Sequence, residues 1–206
     1  NAVLDDPMVR AYVLDSITPD NLPETWPGRW IADTWPPASS EIISYHLTPD
    51  GLSLDAPVDE TMQISSPQTV GLDGGEFCVI WLGPEFPGDQ ARDDAGSLTF
   101  DTSEMDADID IVGAIELDLA FSSDRPLACI SVRANDVHPA GAVTRITYTV
   151  KNLCHQASHE TPEALEPGKR YSVRLKLDDI AWHLPVGHKL RLSVSTTYWP
   201  LVWPSP

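Results

Sequence analysis

Apolar and polar residues alternate with period two along much of this chain. The clearest case is 189–196, where Leu190, Leu192 and Val194 alternate with Lys189, Arg191 and Ser193. Such alternation turns one set toward a core and the other toward water. The run 171–177 repeats it. With a turn at residues 185–187, the stretch from Trp182 to residue 196 reads as a sheet hairpin with one buried face. Further strands are predicted at 9–14 and at 42–47 and 52–54 around the Asp50-Gly51 turn pair, and 77–82 is a short apolar run. Other strands follow from Leu98 onward, around Ile109 and Ile111, and at 115–121, 128–134 and 143–150. No 3.6-residue periodicity is sustained, so helix is expected only as a turn or two near 161–165. Short alternating strands separated by turn signals predict an all-β chain folded as a two-sheet antiparallel β-sandwich.

Two stretches break the pattern. Residues 18–40 carry Trp26-Pro-Gly-Arg-Trp30 and Thr34-Trp35-Pro-Pro37. Proline removes backbone donors, so a long irregular loop is expected there. Three indoles in ten residues are too much apolar area to leave in water, so they pack on this domain or on a neighbouring one. Residues 83–96 read as a polar loop carrying Asp89 and Gln90. At 206 residues the chain fits one sandwich domain. Asn1-Ala2 reads as a cloning remnant, 3–96 as the first strands with the Trp/Pro-rich region, and 97–206 as the regular strands. There is no apolar run of the roughly 18 residues that a membrane span needs.

A net charge of −18 disfavours nucleic acid and anionic membrane surfaces as partners, because both attract Lys/Arg-rich faces. Cys78, Cys129 and Cys154 make an odd count. With Cys129 and Cys154 read as small buried hydrophobes in strand-like contexts, a reducing, cytoplasmic setting is expected.

Candidate chemistry is sparse. No serine has glycine at both flanking positions, so the nucleophile elbow of an α/β-hydrolase is absent. Asp136 and His138, two apart on a strand, could share a face. With no Ser or Cys spaced to join them, they read as turn residues, with His138 exposed. Cys154, His155 and His159 offer three ligands in a polar loop where a structural zinc needs four. Residues 93–110 hold seven carboxylates and no Lys or Arg. Counted from Asp106, however, a calcium loop would need Gly at position 111 and Glu at 117, where Ile111 and Leu117 stand. Asp106, Asp108 and Asp110 therefore read as the solvent face of a strand. His188 reads as a turn histidine bonded to a loop carbonyl. No residue is assigned to catalysis, to a cofactor or to a metal.

The run Pro185-Val-Gly-His-Lys-Leu-Arg-Leu192, ending in Tyr198-Trp199-Pro200, resembles the C-terminal domain of X-Pro dipeptidyl-peptidases, shared with cocaine esterase and the alpha-amino-acid ester hydrolases. The resemblance extends through Asp89-Gln90, Ser97-Leu-Thr-Phe100, Val112-Gly113, Ser122-Ser-Asp-Arg-Pro126 and Asn135-Asp-Val-His-Pro139. It implies a jelly-roll-like (galactose-binding-like) sandwich with long irregular Pro/Trp-rich loops, and chemistry carried on a separate upstream α/β-hydrolase domain. On this reading Trp26, Trp30, Trp35, Trp182, Tyr198 and Trp199 are candidates for packing between the two domains, with this domain as a candidate border of the active site. The resemblance also implies one or more strands beyond residue 206. Their absence would leave a sheet edge open to homodimerisation. A carbohydrate-binding jelly-roll is the alternative, and it requires a solvent-exposed row of aromatics on one sheet.

Overall fold

The structure, a computed structural model, describes residues 6–55, 60–76, 78, 80 and 82–203. Twelve strands are named among them. They are β1 (Val9–Asp15), β2 (Gly28–Asp33), β3 (His46–Thr48), β4 (Gly51–Ser53), β5 (Leu98–Asp101), β6 (Ile109–Gly113), β7 (Glu116–Phe121), β8 (Cys129–Val137), β9 (Val143–Asn152), β10 (Tyr171–Lys176), β11 (Ile180–Leu184) and β12 (Lys189–Ser195). Among the described residues helix is limited to one turn, α1 (Ala91–Asp94), and a 3-10 turn at Leu153–His155 that contains Cys154. Neither lies at 161–165, where helix was expected.

The strands form two four-stranded sheets, ordered β2-β1-β11-β6 and β5-β12-β8-β9, with two-stranded pairs β10-β7 and β3-β4 beside them. The architecture is an all-β sandwich. Pairing is antiparallel except between β1 and β11, which run parallel with Leu14 opposite Trp182. The main core lies between the β5-β12-β8-β9 sheet and the β7-β10 ribbon. Phe100, Ile130, Val132, Ala134, Leu192 and Val194 from the sheet pack with Leu117, Val173, Leu175 and Leu177. These are the apolar rows of the period-two pattern, and full burial of each such side chain stabilises the fold by roughly 1.5–3 kcal/mol.

Three local expectations change. The stretch 182–196 is not a hairpin: β11 lies between β1 and β6 in one sheet, and β12 between β5 and β8 in the other. The turn is a corner between sheets. Its backbone N–H groups bond to residues 105–108 instead of closing a ladder, Gly187 N–H to the Met105 carbonyl at 2.8 Å and Val186 N–H to Asp108 Oδ1 at 2.8 Å. Gly187 turns it at φ +80°, a left-handed conformation that a side chain disfavours. Alternation reports one buried face per strand and is silent on which sheet the strand joins.

The second change is β2, which runs through the tryptophan segment and pairs with β1 from Val9↔Asp33 to Leu14↔Gly28. Its prolines, Pro27 and Pro36, flank the strand and cost it no ladder bond. Third, the strand predicted at 42–47 shortens to β3, although the Asp50-Gly51 hairpin forms with Thr48 opposite Gly51. Of the run 77–82, positions 77, 79 and 81 lie outside the described residues, as do Asn1-Ala2 and 204–206.

Candidate functional site

The core-facing row of β8, Ile130-Val132-Ala134, ends in a charge. Asp136 continues that row, opposite Leu190 of β12. One step past the Lys189↔Val137 pair, His138 and His188 meet across the two strands with ring centroids 4.6 Å apart. Asp136 is fully buried and His138 nearly so, which corrects the expectation of an exposed turn histidine. His188 also differs from expectation: its Nδ1 lies 2.7 Å from Asp136 Oδ1, a carboxylate and not a loop carbonyl. The other oxygen, Asp136 Oδ2, is buried with no hydrogen-bond partner.

The hydrogen bonds assign the His138 tautomer. Thr144 donates its hydroxyl proton to the Ile17 carbonyl at 2.7 Å. The same hydroxyl oxygen must therefore accept from His138 Nε2, 2.9 Å away. That places the proton on Nε2 and a lone pair on Nδ1. Burial pushes the His138 pKa down and outweighs the pull of the Asp136 charge, which favours the neutral ring. Thr144 is not a poised nucleophile, because its proton is committed to a carbonyl and the side chain is buried.

The polar loop at 83–96 turns Gln90, Asp93 and Asp94 inward, and they form a buried hub against the opposite face of the same sheet. Gln90 Oε1 accepts from Arg133 at 3.1 Å and from the Tyr198 hydroxyl at 2.9 Å. Asp94 accepts from Ser193 at 2.7 Å, and its carboxylate lies 3.1 Å from both Arg133 and Arg191. Arg133 is wholly buried. Asp93 accepts the backbone N–H of Gly71 at 2.8 Å, and burial raises its pKa. Gly71 has φ +110°, and a Cβ there would sit 2.2 Å from the Trp199 carbonyl oxygen, so the approach of the two segments requires glycine. The hub ties Gln90 and Asp94 to Tyr198 and to strands β8 and β12. Period-two reading missed it because polar positions on a strand default to solvent.

The other candidates separate. Cys154 is buried with Sγ 3.5 Å from the Pro126 carbonyl, while His155 and His159 pair with each other, ring centroids 5.4 Å apart. Among the described residues, one trio of His, Cys, Asp or Glu brings ligand atoms together, and it is Asp136, His138 and His188. Asp108 and Asp110 are partnered: Asp110 binds His183 at 2.9 Å and also the Arg29 guanidinium. Cys78 and Cys154 are free thiols, and among the described residues no helix is long and apolar enough to cross a membrane.

The six aromatic candidates divide. Trp182 and Tyr198 are buried. Trp26 packs edge-on against Trp182 at 5.9 Å and donates its indole N–H to the Asp15 carbonyl at 3.0 Å, so it belongs to this domain. Trp199 is half-buried against Trp203 at 4.8 Å. Trp30 and Trp35 remain 72% and 49% exposed. Trp35 lines a broad cleft of about 3280 Å³ whose walls include Ile111, Leu117, Phe121 and Trp203. That is well beyond the roughly 300–1,000 Å³ of a small-molecule pocket.

A family model described as the X-Pro dipeptidyl-peptidase C-terminal non-catalytic domain matches residues 1–206. Proteins of Mycobacterium bovis and Mycobacterium tuberculosis named as serine esterases are each 27% identical over 180 residues, covering 80% of this chain and 27% of their own length. Among solved structures, an alpha-amino acid ester hydrolase superposes with TM-score 0.65 at 20% identity, over 77% of this chain and 29% of that one. An aminopeptidase from a marine sediment Thaumarchaeota archaeon gives 0.69 at 18%, over 84% and 32%. A CocE/NonD family hydrolase from Staphylococcus aureus gives 0.65 at 15%, over 95% and 35%. The structural likenesses establish the fold. The chain spans between about a quarter and about a third of the length of each of these proteins.

Proposed function

The chain belongs to the X-Pro dipeptidyl-peptidase C-terminal non-catalytic domain family, and from that premise we propose that it is a packing module of a serine hydrolase. Its partner is an α/β-hydrolase domain of the same polypeptide, which carries the nucleophile and cleaves an ester or amide through an acyl-enzyme. The sandwich contributes a rigid flank to that domain and borders its active-site cleft, since ligand sites favour domain interfaces.

The observation that carries this reading is the exposure of Trp30 and Trp35 on a domain whose other candidate aromatics are wholly or partly covered. An indole left in water next to a well-formed core fits a surface reserved for another domain. The carbohydrate alternative has less support among the described residues. Trp182 and Tyr198 are buried, and Trp30 and Trp35 come from a strand and the loop after it, not from a row on one sheet.

The test has two arms. The 206-residue chain alone should neither hydrolyse p-nitrophenyl esters or aminoacyl-proline anilides nor take up a fluorophosphonate label. Serine-dependent turnover would overturn the reading. In trans, a separately produced α/β-hydrolase domain of a family member should bind the chain, and the double variant Trp30→Ser, Trp35→Ser should weaken binding at least tenfold, since buried Trp anchors dominate interfaces. Unchanged affinity would remove the tryptophans from the interface.

A further inference from the structure

Asp136, His138 and His188 have no part in the packing role, and their arrangement leaves acceptors unfilled. Asp136 is a fully buried carboxylate at the end of an otherwise apolar row. The proton shared with His188 satisfies Oδ1, yet Oδ2 has no donor. His138 holds its proton on Nε2, toward Thr144, which leaves the lone pair of Nδ1 for a partner. A buried carboxylate short of donors and an imidazole lone pair beside it are together suited to one cation, whose charge offsets that of the carboxylate.

We propose that these three side chains bind a divalent transition-metal ion of the zinc class. One ligand atom from each residue lies within 4.8 Å of the others. Ligands at about 2.0–2.2 Å from a tetrahedral zinc sit roughly 3.4 Å apart, so closing the widest pair by at most roughly 1.4 Å and opening the His188–Asp136 pair by roughly 0.7 Å makes three corners of the tetrahedron. His138 binds through Nδ1. His188 binds through the nitrogen that now faces Asp136: the ion takes the place of the proton there, which moves to the other ring nitrogen, so that the ligand is a neutral imidazole. Two imidazoles and a carboxylate select zinc, cobalt or nickel over calcium and magnesium, which take oxygen ligands. Thr144 orients His138 through the second ring nitrogen, as outer-shell partners of metal-bound histidines do. The His188 side chain is 13% exposed, which gives the ion its route and a water the fourth position. The bound ion would tie the corner before β12 to the end of β8.

The experiment uses the 206-residue chain, stripped with a chelator and dialysed, then titrated with Co²⁺ and competed with Zn²⁺. The expected result is one equivalent of Co²⁺ with the intense visible absorption of tetrahedral coordination, displacement by Zn²⁺, and a melting temperature raised by either ion. His138→Gln and His188→Gln should each lower affinity beyond the roughly 10–100-fold that an outer-shell change costs, and Thr144→Val should fall within that range. Asp136→Asn should behave like the histidine variants; if it fails to fold, His188→Gln decides. A His155→Gln, His159→Gln double variant should bind as the unaltered chain does. Binding below one equivalent, affinity unchanged in His188→Gln, or affinity lost in the His155/His159 variant would each overturn the proposal.

Discussion

On one side of the β5-β12-β8-β9 sheet, Ile130, Val132, Ala134, Leu192 and Val194 join an apolar cluster with the β7-β10 ribbon. On the other side, Arg133 and Ser193 of the same strands, with Arg191 beside them, meet Asp94. The strands are shared and both faces are covered, but the physics differs. The apolar face gains by area, is non-directional and accepts any side chain of about the right volume. The polar face gains little net from each hydrogen bond and loses heavily when one partner is removed, because the other stays buried and unsatisfied.

That contrast ranks the expected effects of substitution. Asp94→Ala removes the carboxylate that faces Arg133 and Arg191 and leaves the buried Arg133 guanidinium without its counter-charge. It should destabilise the chain by about 3–5 kcal/mol in urea unfolding. A loss below about 1 kcal/mol would show that the hub is not a cooperating unit. On the apolar face, Leu175→Ala should cost about 2–5 kcal/mol, whereas Leu175→Met should cost under about 1.5 kcal/mol. Equal losses for the two would mean that shape, not area, governs that face.

The smallest effect should come from the solvent-facing charges of the other four-stranded sheet. Burial works to raise the Asp110 pKa, but the hydrogen bonds from His183 and Arg29 outweigh it and hold the carboxyl below its ordinary value. A depressed pKa contributes stability that is complete above the ordinary carboxylate range and is lost as pH falls through the depressed value. The melting temperature should therefore fall on acidification below about pH 4, and Asp110→Asn should flatten that part of the profile slightly. A steeper profile in the variant would reverse the assignment.

Much of the fold was legible because burial of one strand face writes itself into the sequence at period two. β7, β10 and β12 carry that pattern plainly, with Leu117, Val173, Leu175, Leu192 and Val194 all buried. β2 was not legible, because the prolines and tryptophans around it hide a strand whose partner lies at 9–15. The hub was not legible for a different reason. Arg133 alternates with Val132 and Ala134 as a solvent-facing residue would, and only the tertiary packing that brings Gln90, Asp94, Ser97 and Tyr198 to it takes it out of water.

The site shows the same division. By itself the sequence determined an all-β chain, the alternating rows that form its core, the absence of a nucleophile elbow and the likeness to a hydrolase's C-terminal domain, all of which depend on local spacing. Only the tertiary structure decided that residues 182–196 bridge two sheets, that Trp26 turns inward while Trp30 stays exposed, and that His188 meets Asp136 and His138 from some fifty residues away. Strand periodicity specifies which way a side chain points. What it meets there depends on strand pairing and sheet stacking, which join positions far apart in the chain.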